Sequence, residues 1–224
     1  VRRRAKCIRG ARSQNRQTIR ASFARLAAQA GLLVGAVGIG SSAWAQSTFT
    51  NVCEAGQNGV IICPCNNPPS GTGMGCANFG PGQIGQSALL TGSGTPSVTT
   101  GSDTLQLMVT HENDFVLTVF LQGSAITTGV TYGAGINCIA NAPLVLYHGN
   151  AGVGEPQGQI TRPRLGTDPD VHTRSATLGD VISAGQTRYY MTGYRDKKAS
   201  NIPNCNNPTS TFNSSQGVAV VWGP

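Results

Sequence analysis

Apolar and polar residues along most of this chain alternate in short runs and do not recur at helical spacing. Leu105, Leu107 and Val109 interleave with Thr104, Gln106 and Met108, the period of a half-buried strand. Residues 115–121 are apolar on both faces, which predicts a strand in the middle of a sheet. Val218, Val220 and Trp222 share one face of a final strand. Arg188, Tyr190 and Thr192 alternate with Tyr189 and Met191, so one side of that segment is expected to be wet. Gly, Pro and Asn turns separate these runs. The pattern predicts strands near 87–91, 104–110, 115–122, 129–132, 144–148, 159–165, 171–178, 187–194 and 217–222.

Strands of this number and spacing need a second layer to bury their apolar faces. The expected fold is all-β: an antiparallel two-sheet β-sandwich of jelly-roll or Ig-like type over 85–224, with a barrel as the competing closure. Residues 46–84 read differently. Asn66-Asn67-Pro68-Pro69-Ser70-Gly71 is turn chemistry, and cysteines crowd around it. This segment is expected to fold onto the sandwich as a disulfide-stapled N-terminal loop.

Composition breaks at Ala45. Nine of the sixteen basic residues precede it, with no acid among them. The apolar run 26–40 follows the last of these cations, and Ala43-Trp44-Ala45 supplies an A-x-A site. Residues 1–45 therefore read as a helical, Sec-type signal peptide cut after Ala45. If kept, the run 26–45 is just long enough to anchor the chain in a bilayer. Removing nine positive charges from a chain of net charge +7 leaves −2. That balance argues against nucleic acid as a partner and, after cleavage, against a membrane. The expected location is extracellular or in the cell envelope.

Six cysteines follow the break: Cys53, Cys63, Cys65, Cys76, Cys138 and Cys205. In an oxidising compartment an even set predicts disulfides, but fifteen pairings are open. The preferred set is Cys53–Cys63, Cys65–Cys76 and Cys138–Cys205. Cys63-Pro64-Cys65 is C-x-C, unlike a thioredoxin-type C-x-x-C, and no histidine lies near it for zinc. No metal and no cofactor are expected.

Several segments are similar to a known group. Cys65-Asn66-Asn67, Gly75-Cys76-Ala77-Asn78, Phe120-Leu121-Gln122-Gly123 and Gly135-Ile136-Asn137-Cys138 carry the first part of the match. Gly185-Gln186-Thr187-Arg188-Tyr189-Tyr190, Tyr194-Arg195-Asp196, Cys205, Phe212-Asn213 and the run 217–222 carry the more specific part. The chain resembles uncharacterised secreted, disulfide-containing β-sandwich proteins of environmental bacteria. The resemblance implies export, a sandwich and disulfide staples, and brings no catalytic residues. Members often carry Trp or Gln where this chain has Tyr190-Met191-Thr192-Gly193, and 147–170 matches loosely.

Chemistry-bearing clusters are few. His111-Glu112-Asn113-Asp114 is expected to be a solvated hairpin turn, because it lacks the helical H-E-x-x-H frame. Thr167-Asp168-Pro169-Asp170, with His172 nearby, could hold Ca²⁺ through Asp168 and Asp170 but lacks the D-x-D-x-D-G pattern. Tyr132, Tyr147, Tyr189, Tyr190 and Tyr194 are candidates for a sugar-binding platform, foremost the last three. Arg188, Arg195 and Asp196 read as an ion pair or loop brace. No G-x-S-x-G elbow is present. The expected function is a secreted, non-enzymatic structural or interaction module that meets a surface ligand, protein or glycan through its loops. A carbohydrate-binding domain, with or without Ca²⁺, and a hydrolase built on His111 or His172 are the alternatives.

Overall fold

A computed structural model describes residues 49–80, 82–140, 143–196, 205 and 211–224. The signal peptide expected at 1–45 lies outside them, as does most of the Asn-rich loop before Asn213. The described part is nearly all-β, as the alternation predicts, with eleven strands and one short helix. The strands are β1 (Thr50–Cys53), β2 (Leu89–Ser93), β3 (Gln106–Thr110), β4 (Leu117–Gly123), β5 (Ile126–Tyr132), β6 (Gly135–Ile139), β7 (Leu144–Asn150) and β8 (Ile160–Arg162). Helix α1 (Val171–Thr177) follows, then β9 (Thr187–Arg195), β10 (Phe212–Ser214) and β11 (Gly217–Val221).

The strands form a main sheet in the order β1-β11-β9-β4-β7, with β10 also beside β9; a three-stranded sheet, β2-β3-β8; and a hairpin, β5-β6. Every pairing between these strands is antiparallel. The largest core lies between the main sheet and the three-stranded sheet. Leu90, Leu107, Val109 and Ile160 from one side meet Phe120, Leu146, Tyr190, Val218 and Val220 from the other, with Trp222 beside them. The expected inward face of β3 is there, and Val218, Val220 and Trp222 are all buried. As the doubly apolar run predicts, β4 lies inside its sheet, between β9 and β7.

Three expectations give way. First, 171–178 is not a strand. Asp170 caps α1 by accepting from Thr173 N at 2.6 Å. Gly179, at φ 95°, ends it while Gly179 N donates to Ala176 O. Second, neither side of β9 is wet over Tyr190–Tyr194. Met191 packs with Leu121 and Ile139, so the β5–β6 hairpin covers the face opposite Tyr190. Third, the N-terminal segment is more than a loop, because β1 pairs with β11 in the main sheet.

The disulfide pairing is also corrected. All six cysteines are bonded, but as Cys53–Cys138, Cys63–Cys76 and Cys65–Cys205. Only the second closes a short loop; the others span 85 and 140 residues. The cysteine segment is therefore tied outward, to β6 and to Cys205, instead of being stapled to itself. In the chain-entropy model the long closures each stabilise by about 4–5 kcal/mol and the short one by about 3. Three disulfides fit a non-cytoplasmic protein. Among the described residues no helix is long and apolar enough to cross a membrane.

Candidate functional site

Among the described residues the main sheet ends at β7, and one side of that strand has no partner strand. Exposed edge carbonyls invite another chain to pair with them. Here two arginines occupy them. Arg174 Nε donates to Leu146 O at 2.8 Å, and Arg162 Nε donates to His148 O at 3.4 Å.

Each arginine is positioned by a different element. Arg162 ends β8, and its Nη1 also donates to Thr161 O at 2.7 Å. Its guanidinium lies against Gly149, where a Cβ would fall 2.2 Å from Nη2. Only glycine leaves that space. Arg174 sits on α1, which is fixed from beneath. Val171 enters the core, and Gln122 of β4 donates to Ser175 Oγ at 2.6 Å and to Asp180 Oδ2 at 2.8 Å. Asp180 also takes a two-point ion pair from Arg188, with both contacts at 2.7 Å.

Between these elements opens a cleft of about 240 Å³, lined by Leu146, Tyr147, His148, Arg162, Asp168, Pro169 and Arg174. Arg162 stands 3.7 Å from Asp168 and 3.8 Å from Glu155, too far for hydrogen bonds, so both act on it through charge alone. Burial and then the neighbouring Arg164 lower its pKa, while Asp168 and Glu155 oppose the shift. Arg174 forms no ion pair among the described residues. Tyr147 Oη donates to Pro169 O at 2.8 Å, and burial raises its pKa, so the phenol stays neutral. The cleft thus joins two guanidiniums, an exposed imidazole and one half-buried carboxylate.

The two carboxylates considered for Ca²⁺, Asp168 and Asp170, are engaged separately. Asp168 Oδ2 accepts from Arg164 N at 2.8 Å, and Asp170 caps α1. Among the described residues no group of three His, Cys, Asp or Glu side chains is placed to hold a metal. The tyrosine platform is also corrected. Tyr147, Tyr190 and Tyr194 are buried, and Tyr132 and Tyr189 are only partly exposed. Tyr190 Oη accepts from Trp222 Nε1, and Tyr194 Oη donates to Asn78 Oδ1. Among the described residues no histidine ring is hydrogen-bonded to an acid. A ring nitrogen of His111 meets Thr110 Oγ1 at 3.1 Å, and His172 Nε2 meets Ile182 O at 3.3 Å.

The turn 111–114 is the largest surprise. Glu112 and Asn113 are buried, because this segment crosses from the three-stranded sheet to the main one. The Thr118 and Thr192 hydroxyls both donate to the Glu112 carboxyl. Burial pushes the Glu112 pKa up to about 8, against the lowering effect of the two hydroxyls. Close by, Asp196 accepts from Phe79 N, Asn113 and Asn213, so it braces the N-terminal segment. It does not pair with Arg195, which stacks on Phe212 at 4.0 Å.

Sequence reasoning passed over Arg162, Arg174 and His148. The available signal was the Asp170-to-Gly179 cap pattern, which puts Arg174 on a helix beside the acidic loop. Compared with known proteins, the chain matches no family model, no curated protein and no solved structure.

Proposed function

We propose that the chain is an exported, non-enzymatic interaction module of the secreted β-sandwich group it resembles, working outside the cytoplasm. The observation that carries this reading is the disulfide arrangement. Cys53–Cys138 and Cys65–Cys205 tie the N-terminal segment to distant parts of the chain, a way of holding a rigid surface in an oxidising compartment. The cationic, acid-free segment before Ala45 supports export, and the core shared by two sheets supports a sandwich. A rigid frame with a polar cleft at its edge suits recognition of a ligand by preformed groups.

The test is non-reducing peptide mapping of the protein purified from culture medium. The reading expects Gln46 as the first residue and the three cross-links above. Free thiols, or protein retained in the cytoplasm, would reject it.

Carbohydrate binding is the second reading. Its support moves from the tyrosines to the cleft, where guanidinium donors and the Asp168 acceptor lie side by side.

A further inference from the structure

We infer that the cleft between the β7 edge and α1 is a binding site for a small monoanionic sugar, with the ligand's carboxylate held by Arg174 and Arg162 adding positive charge beside it. This inference rests on the reading of the domain as a binding module and assigns its site and ligand class.

Three observations carry it. Arg174 is fixed through Nε on Leu146 O, which leaves its two terminal nitrogens as a planar donor fork beside the cleft. Such a fork matches a carboxylate in two-point geometry. No acid among the described residues pairs with Arg174, so its charge is not already neutralised. Arg162 adds a second cation, buried and held over Gly149, so little side-chain freedom remains to be lost on binding.

The acids define what else the ligand must be. Asp168 and Glu155 face Arg162 at 3.7 and 3.8 Å and offset its charge. A polyanion or a phosphate dianion would meet their repulsion, whereas one negative charge placed toward Arg174 would not. Asp168 is half-buried and retains acceptor capacity toward hydroxyl groups. His148, exposed on the rim, can donate or accept. A ligand that combines one carboxylate with several hydroxyls satisfies both sides, and a uronic acid has that composition. The cleft, at about 240 Å³, lies just below the roughly 300–1,000 Å³ of pockets for drug-sized molecules, which suits a single sugar ring.

The experiment is titration of the intact, disulfide-bonded protein with galacturonate, followed by amide chemical shifts. Galactose and sulfate serve as the neutral and sugar-free controls. Galacturonate is expected to shift the amides of 146–148, 162 and 168–174, with galactose at least about tenfold weaker. Arg174→Gln is expected to weaken galacturonate by about tenfold or more, and Arg174→Lys to recover part of the loss. Unchanged spectra and melting temperatures of the free variants show that they fold. Equal affinity for galactose overturns anion recognition, and sulfate binding as tightly as galacturonate overturns the sugar. If shifts arise elsewhere on the domain, or nowhere while the three disulfides are intact, the site falls and the reading as an exported module stands. That reading falls separately, if the mapped protein has free thiols.

Discussion

Arg174 Nε donates to Leu146 O at 2.8 Å, so a side chain from the helix occupies a backbone position that an added strand would take. Arg162 does the same one carbonyl pair further along, at His148 O. The pair both closes the sheet edge and furnishes the cleft with charge. Replacing both with alanine should free the edge carbonyls and promote strand-to-strand association. Light scattering should then report concentration-dependent oligomers in Arg162→Ala/Arg174→Ala. A strictly monomeric double variant that remains folded would show that the edge is guarded by something else.

Gly149 makes the placement of Arg162 feasible. An alanine Cβ would come within 2.2 Å of Arg162 Nη2 and 2.7 Å of Ile160 Cδ1. Gly149→Ala is therefore expected to expel the guanidinium and to destabilise the domain by about 1–3 kcal/mol. Chemical denaturation measures the cost. No loss of stability would mean that Arg162 can be rehoused easily.

Glu112 makes stability depend on pH in a defined sense. Its carboxyl has a pKa raised from 4.5 to about 8 in the folded state by burial. Below pH 4.5 the folded and unfolded forms are both protonated, and Glu112 has no effect. Between 4.5 and about 8 only the unfolded form ionises, so stability falls as pH rises; above about 8 the loss levels off. At pH 7 the loss is on the order of 3 kcal/mol, from 1.36 kcal/mol per pKa unit. Glu112→Gln keeps partners for Thr118 and Thr192 but carries no charge. It should raise the neutral-pH melting temperature and match the parent near pH 4. Parallel stability profiles for the two proteins across that range would refute a buried, neutral carboxyl.

The disulfides should rank by the chain they close. Removing both cysteines of a pair avoids stray thiols. Cys65→Ala/Cys205→Ala and Cys53→Ala/Cys138→Ala should each cost about 4–5 kcal/mol, and Cys63→Ala/Cys76→Ala about 3. Denaturant midpoints give the order. Were the short-range pair the most costly, local packing around Cys63 and Cys76 would outweigh chain entropy.

Alternation by itself determined the all-β class, the inward faces of β3 and β11 and the central place of β4. These follow from side-chain period and from how much of each face must leave water, and both are local. The cysteine count determined that disulfides form. Their pairing was decided only when β1 entered the main sheet beside β11 and brought Cys53 to Cys138. Short loops looked cheapest to close along the chain, but distance in sequence is not distance in the fold.

The segment 171–178 was ambiguous because seven or eight residues with Val and Thr fit either period. The caps Asp170 and Gly179, together with docking of Val171 in the core, settled it as a helix. Glu112, Tyr190 and Tyr194 carry polar groups that locally read as surface. They are buried because partners distant in the chain satisfy them: Thr192 for Glu112, Trp222 for Tyr190 and Asn78 for Tyr194. The cleft belongs to the same class of facts. Arg162, Arg174, His148 and Asp168 come from a strand end, a helix, an edge strand and a loop, and no linear spacing relates them. The sequence determined the strands and the number of staples; which residues share a surface was decided by how the sheets, hairpin and helix pack.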